Sequence, residues 1–160
     1  MKSVDTQIRF SPMRVVEVLD EKTASYSVSA QPCFESLHGA ANRMAGLLVL
    51  LAITKSRHVL DMDVHRAAAA LVKAGNDEFR GLVPTPRSRH FHRHLGKAGG
   101  LLAIALRDID STLSGSAGAR DPLAPLRAGW EELRSASICL PGFEVVDFEH
   151  SCCALHQTAN

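Results

Sequence analysis

Residues 24–53 read "ASYSVSAQPCFESLHGAANRMAGLLVLLAI". Where this stretch divides decides the fold. Its first seven residues, ASYSVSA, alternate, with Tyr26 and Val28 on one face of an extended chain. Such alternation is the mark of a half-buried strand. Just upstream, RVVEVL (Arg14 to Leu19) is rich in valine, and DEKT breaks the run between the two segments. Together they predict a hairpin that Pro32 closes. From Glu35 the period changes. Leu37, Ala41, Met44, Leu48 and Leu51 recur at helical spacing, while Leu47, Val49, Leu50 and Ile53 fill the other faces. This predicts a helix over 35–55, capped by Ser36. Being apolar all round, it belongs in a core or in a dimer interface.

Working outward, Val64, Ala67, Ala68, Leu71 and Ala74 form one stripe of a helix over 62–80. Asp61 or Asp63 can cap it, and Gly75-Asn76 marks an early end or a bend. The prolines of VPTPRS interrupt the chain, and Ser88 caps a helix over 89–112. That helix carries Phe91, Leu95, Ala98, Leu102, Ala105 and Ile109 on one face, and the glycines of GKAGG (96–100) permit close helix packing. SGSAGARDP supplies a flexible loop over 114–121. Asp121-Pro122 then opens a helix to about Ser135, with Leu123, Leu126, Trp130 and Leu133 facing inward. SICL, Pro141-Gly142 and FEVVDF (143–148) read as a second hairpin.

The expected fold class is therefore α+β, mainly α. A three- or four-helix bundle carries a small antiparallel β element built from the N- and C-terminal hairpins. One domain covers 1–160, with 1–13 as a loose lead-in. Hydrophobic residues at 46% and charged residues at 22% are ordinary for a globular chain of 160 residues. A net charge of +1 gives no global field to recruit nucleic acid or an anionic membrane. The start, MKSVDTQIRF, has no apolar signal-like region. The longest apolar run, MAGLLVLLAI, falls short of the roughly 20 residues a bilayer takes. These features predict a cytoplasmic protein whose cysteines are reduced thiols.

Residues 150–156, HSCCALH, gather soft ligands. Thiolate and imidazole suit zinc, copper or iron. Cys152 and Cys153 lie four and three residues before His156, and His150 shares a strand face with Cys152. One segment does not close a tetrahedral site, so further ligands must come from elsewhere. In RHFHRH, His90 and His94 stand at i,i+4 spacing on one helix face. The leading expectation is a small regulatory protein, not an enzyme. Its transition-metal or thiol sensor site would use His150, Cys152, Cys153 and His156, with His90 and His94 completing it.

Two alternatives stand beside it. SLHGAANRMAGLLVLLA places His38 one turn before Asn42 at the start of an apolar helix. It resembles the phosphoacceptor helix of histidine-kinase dimerisation domains and related phosphotransferases. The resemblance implies a phosphoacceptor role for His38. Gly39 stands where those helices usually carry an acidic residue, and no ATP-binding domain follows. The other alternative is an interaction module in which the basic helix start RSRHFHRHLGK (87–97) docks an acidic partner. A homodimer is also expected to be accessible, with Leu37, Met44, Leu48 and Leu51 paired across a twofold axis.

Overall fold

The computed structural model describes residues 19–53 and 62–143. They form four helices: α1 (Glu21–Ile53), α2 (Met62–Arg80), α3 (Arg89–Leu113) and α4 (Leu123–Cys139). No strand occurs among the described residues, so the expected β element is corrected to an all-α bundle.

Residues 24–30 belong to α1. Tyr26 is 5% exposed and Val28 is 76% exposed, so the two side chains that a strand would place on one face point in different directions. The buried positions Thr23, Tyr26, Ser27, Ala30, Cys33, Phe34 and Leu37 follow a helical period instead. Ser27 and Ser29 donate their hydroxyls to the carbonyls of Thr23 and Ser25, four residues back. This local bonding makes serine compatible with the helix interior. The start is set by Asp20, whose Oδ1 accepts the Thr23 N–H at 2.9 Å. That bond holds the Asp20 carboxyl below its ordinary range.

Pro32 does not end the helix. Proline removes one N–H and leaves the carbonyl four residues earlier without its helical partner. Pro32 lies on the exposed side of α1, where water can satisfy that carbonyl. The helix therefore runs 33 residues instead of beginning at Glu35. The second expected hairpin fails for a similar reason. Ser137, Ile138 and Cys139 complete α4, and Gly142, at φ 100°, turns the chain back. Phe143 is thereby placed 4.3 Å from the Phe91 ring and 5.3 Å from the Phe34 ring, centroid to centroid. Residues 14–18 and 144–148 lie outside the described residues.

The helices run up-down-up-down. A Cβ on Gly75 would lie 2.7 Å from Leu37, and one on Gly39 would lie 3.4 Å from Leu71, so α2 is antiparallel to α1. On α3, Gly99 faces both Asn76 and Leu37. On α4, Gly129 faces Leu102 of α3. Gly96 and Gly99 let neighbouring side chains approach closely, as GKAGG led us to expect, and Gly75 does the same inside α2, which runs on to Arg80 without the expected early end. Helix α1 packs most extensively on α2, and α3 on α4; the seams joining these two pairs are slimmer. The core is a column of Phe91, Leu37, Met44, Leu95, Leu102, Ile109 and Leu133. Ser88 makes no side-chain cap for α3. Its hydroxyl is instead engaged with Thr85, accepting the Thr85 N–H at 2.8 Å.

Candidate docking site

The unusual part of this bundle lies beside the last turns of α1. Helix α1 has 33 residues and α4 has 17. At a rise of 1.5 Å per residue they are roughly 50 Å and 26 Å long. Their relative register is set where the Trp130 ring lies 5.1 Å from the His38 ring. Helix α4 begins two turns before Trp130, at Leu123. Because the two helices are antiparallel, α4 starts opposite α1 near residue 45. Beyond that point, the side of α1 that α4 covers lower down has no helix over it among the described residues.

The residues on that side are apolar. Three turns on from His38, Val49 occupies the same angular position. It is 56% exposed, and Ile53 one turn further is 73% exposed. Ala45, Gly46 and Ala52 on the same flank are also exposed. The opposite flank is fully occupied: Met44 and Leu47 are buried, and Leu48 packs against the core. Leu123, the first residue of α4, is 46% exposed at the edge of the opening. Arg43, the last charged residue before the stripe, donates to the Gly39 carbonyl on its own helix. The result, among the described residues, is an uncharged, apolar corner with three helices in place and no fourth. On composition and length, α1 is also the one helix among the described residues that could cross a membrane.

The expected metal centre is not found. Among the described residues, no group of three or more His, Cys, Asp or Glu side chains could hold an ion. His94 Nδ1 lies 2.6 Å from Glu132 Oε2, and Lys97 Nζ lies 3.6 Å from the other oxygen of that carboxylate. This ties α3 to α4. His90, one turn before His94, is exposed and pairs with Arg93 at 3.0 Å. The two histidines meant to complete the site are thus engaged separately. His150, Cys152, Cys153 and His156 lie outside the described residues. Zinc, copper and iron drop out as supported cofactors, and with them the sensor reading.

The phosphoacceptor reading of His38 is corrected too. Its ring stacks on Phe34 at 6.1 Å with 7° between planes and tilts against Trp130 on the other side. Nε2 is buried without a hydrogen-bond partner, and Nδ1 meets the Asn42 amide at 3.5 Å. Burial lowers its pKa. An imidazole held this way is a packing element between α1 and α4, with Nε2 turned into the seam.

Helix α3's basic start is also structurally engaged. His92 Nδ1 lies 3.0 Å from the Tyr26 hydroxyl, and its ring stacks on Phe79 at 4.4 Å. Burial raises the Tyr26 pKa and lowers that of His92, so both members of the pair favour their neutral forms. Within 87–97, His92 and His94 act as joints between helices, while Arg87, Arg89, Arg93 and Lys97 remain exposed. The expected dimer seam is likewise internal, since Leu37 and Met44 are fully buried within one bundle.

Two open depressions also lie among the described residues. One, of about 600 Å³, lies between the start of α1 and residues 81–85. The other, of about 420 Å³, lies between α3 and residues 116–120, with Arg107 and Arg120 on its walls. Ser29 and Ser111, which line them, donate to carbonyls of their own helices. Sequence reasoning missed the open corner. The apolar residues 49–53 were visible, but the end of α4's cover depends on the α1–α4 register. No family model, curated protein or solved structure matches the chain.

Proposed function

We propose that this bundle is a helix-docking interaction module, not an enzyme, and that its docking site is the open corner beside the C-terminal half of α1. The observation that carries this reading is the mismatch between α1 and α4. The apolar flank of α1 continues for two to three turns past the point where α4 starts. Fully burying an exposed Val or Ile side chain stabilises by roughly 1.5–3 kcal/mol. Val49, Ile53 and Leu123 are about half to three-quarters exposed, so a helix seated on them would gain a corresponding fraction of that from each. The groove is the kind into which an amphipathic helix lays its apolar face. The polar side chains around the bundle joints support the same view. His38, His65, His92 and His94 all sit between helices, where they act as joints. A cytoplasmic location accompanies this proposal.

The test is a display selection. Amphipathic 18-residue helical peptides would be selected on the immobilised full chain and counter-screened on Val49→Glu/Ile53→Glu. The proposal expects enriched binders that lose affinity on the double variant. Binders that keep full affinity for the variant, or no enrichment at all, would contradict it.

A further inference from the structure

We infer that mild acid opens this bundle like a book, with the α1–α4 seam as the edge that parts and the α2–α3 seam as the spine. The inference is independent of the docking reading. It rests on the partner that each inter-helix histidine meets.

Connectivity sets the frame. Helices α2 and α3 are joined at one end by residues 81–88. Toward the other end, His65 of α2 meets Asp110 of α3 at 2.5 Å. Asn76 of α2 also donates to the Gly99 carbonyl of α3 between these points. Helices α1 and α4 are not consecutive, and no ion pair joins them among the described residues. Their seam holds His38, packed between Phe34 and Trp130. The α1–α2 and α3–α4 pairs pack extensively, so each moves as a unit.

Between pH 7.5 and 5 histidines titrate, while ordinary carboxylates, near about 4, keep their charge. A proton then has opposite consequences at the two seams. At the spine, a charged His65 faces the Asp110 carboxylate and the contact becomes an ion pair; Arg66 beside it is taken up by Asp63. Within the α3–α4 pair, His94 gains in the same way against Glu132, which also meets Lys97. At the edge, His38 faces Phe34 and Asn42 of its own helix and Trp130 of α4. Glu35 is engaged by Gln31, and Arg43 donates to the Gly39 carbonyl. Nε2 of His38 is buried with no acceptor among the described residues. A charged N–H there loses its hydration without replacement, and burial lowers the pKa with no charged group adding to the shift.

His92, where α3 crosses to α1, sits between the Tyr26 hydroxyl and the Phe79 ring, and burial alone lowers its pKa. Its stacking on Phe79 of α2 persists in the charged form as a cation–π contact, which again favours the spine. For both lowered bases, the stabilisation of the closed form is complete above about 6.5 and is lost as the pH falls through the lower folded value. Acid therefore tightens α2 on α3 and α3 on α4, and loosens what α1 makes with α3 and α4. Parting at that edge uncovers the interior cluster of Phe34, Phe91 and Phe143.

The measurement is NMR of the full chain at pH 7.5 and pH 5, with circular dichroism and acrylamide quenching of Trp130, the only tryptophan. Contacts across the edge, His38 to Trp130, are compared with contacts across the spine, Asn76 to Gly99, and inside the pairs, Leu37 to Gly75 and Leu102 to Gly129. The inference expects the edge cross-peaks to weaken at least about fivefold at pH 5 as the closed form loses its share. Spine and within-pair cross-peaks and helical dichroism should persist, and quenching of Trp130 should rise. His38→Phe and His38→Asn, neither of which can take up a proton at this position, should each lose most of the acid-induced rise in quenching. Edge contacts unchanged at pH 5 would overturn the inference. Loss of spine and edge contacts together, which is global acid unfolding, would also overturn it, as would a rise in quenching equally large in both variants.

Discussion

His38 is the residue at which packing and protonation meet. Its ring lies between Phe34 and Trp130, and among the described residues no carboxylate pairs with it. Burial lowers its pKa from the ordinary 6.5, so the folded state resists protonation more than the unfolded state. For a base depressed in this way, the unfolded chain binds more protons as the pH falls, and stability rises with pH. The contribution is complete above about 6.5, the unfolded value, and is lost as the pH falls toward the lower folded value. His92 acts in the same direction. Attraction between an imidazolium and the Trp130 face returns part of this cost, but Nε2 would be a buried donor with no acceptor. Thermal unfolding should therefore occur at a lower temperature at pH 5 than at pH 7.5, and His38→Phe should reduce that difference. Trp130 is the only tryptophan, so its emission reports the α1–α4 seam directly. An acid transition equally large in His38→Phe would remove His38 from the account. Gly75 offers a second residue-level check. A Cβ there would lie 2.7 Å from Leu37, so Gly75→Ala should destabilise by about 1–3 kcal/mol, read from urea midpoints. An unchanged midpoint would mean that α1 and α2 are not this close.

At the scale of the element, α1 shows what the sequence made legible and what it hid. The apolar period from Leu37 to Leu51 was plain, because helical spacing repeats over several turns. The first half was misread because Tyr26 and Val28 alternate over only a few residues, and because Pro32 looks like punctuation. What decides the matter is tertiary. Thr23, Ser27, Ala30 and Cys33 are small enough to bury against neighbouring helices, and Cys33 donates to the Gly75 carbonyl at 3.2 Å. Burial pushes that thiol up to about 12, so it stays protonated and serves as a donor. The cysteine whose role is visible in the structure is thus a packing cysteine of α1, not one of the HSCCALH pair. Helix α2 and the limits of α3 were more legible, since each has one continuous stripe with breaks on both sides. Pro32 gives a direct test. Proline in a helix interior costs about 3 kcal/mol relative to alanine, so Pro32→Ala should stabilise by up to about that amount and raise the melting temperature. If 24–30 were a strand closed by Pro32, the same substitution would give no such gain.

Across the whole molecule, the bundle is two helical hairpins, α1–α2 and α3–α4, joined through slimmer seams. His65 Nε2 lies 2.5 Å from Asp110 across the α2–α3 seam, as a close contact without hydrogen-bond geometry. His38 and Trp130 occupy the α1–α4 seam. The candidate site was not legible in the sequence because it consists of missing cover. It follows from the length of one helix, the start of another and the register between them, and only the packed structure sets that register. Two of the histidines that draw the eye in α3, His92 and His94, turn out to be joints, while His90 is exposed. The exposed face that matters, Val49 and Ile53, belonged in the sequence to a helix that fitted a core or a dimer interface equally well. The most direct test of the docking account is hydrogen–deuterium exchange of the full chain, free and saturated with a peptide from the display selection. The account predicts that amide protection rises on peptide binding in segments spanning 42–53 and at the start of α4, and stays constant around Tyr26 and Phe91. Protection that does not change on binding, or that rises at the opposite end of the bundle, would contradict it.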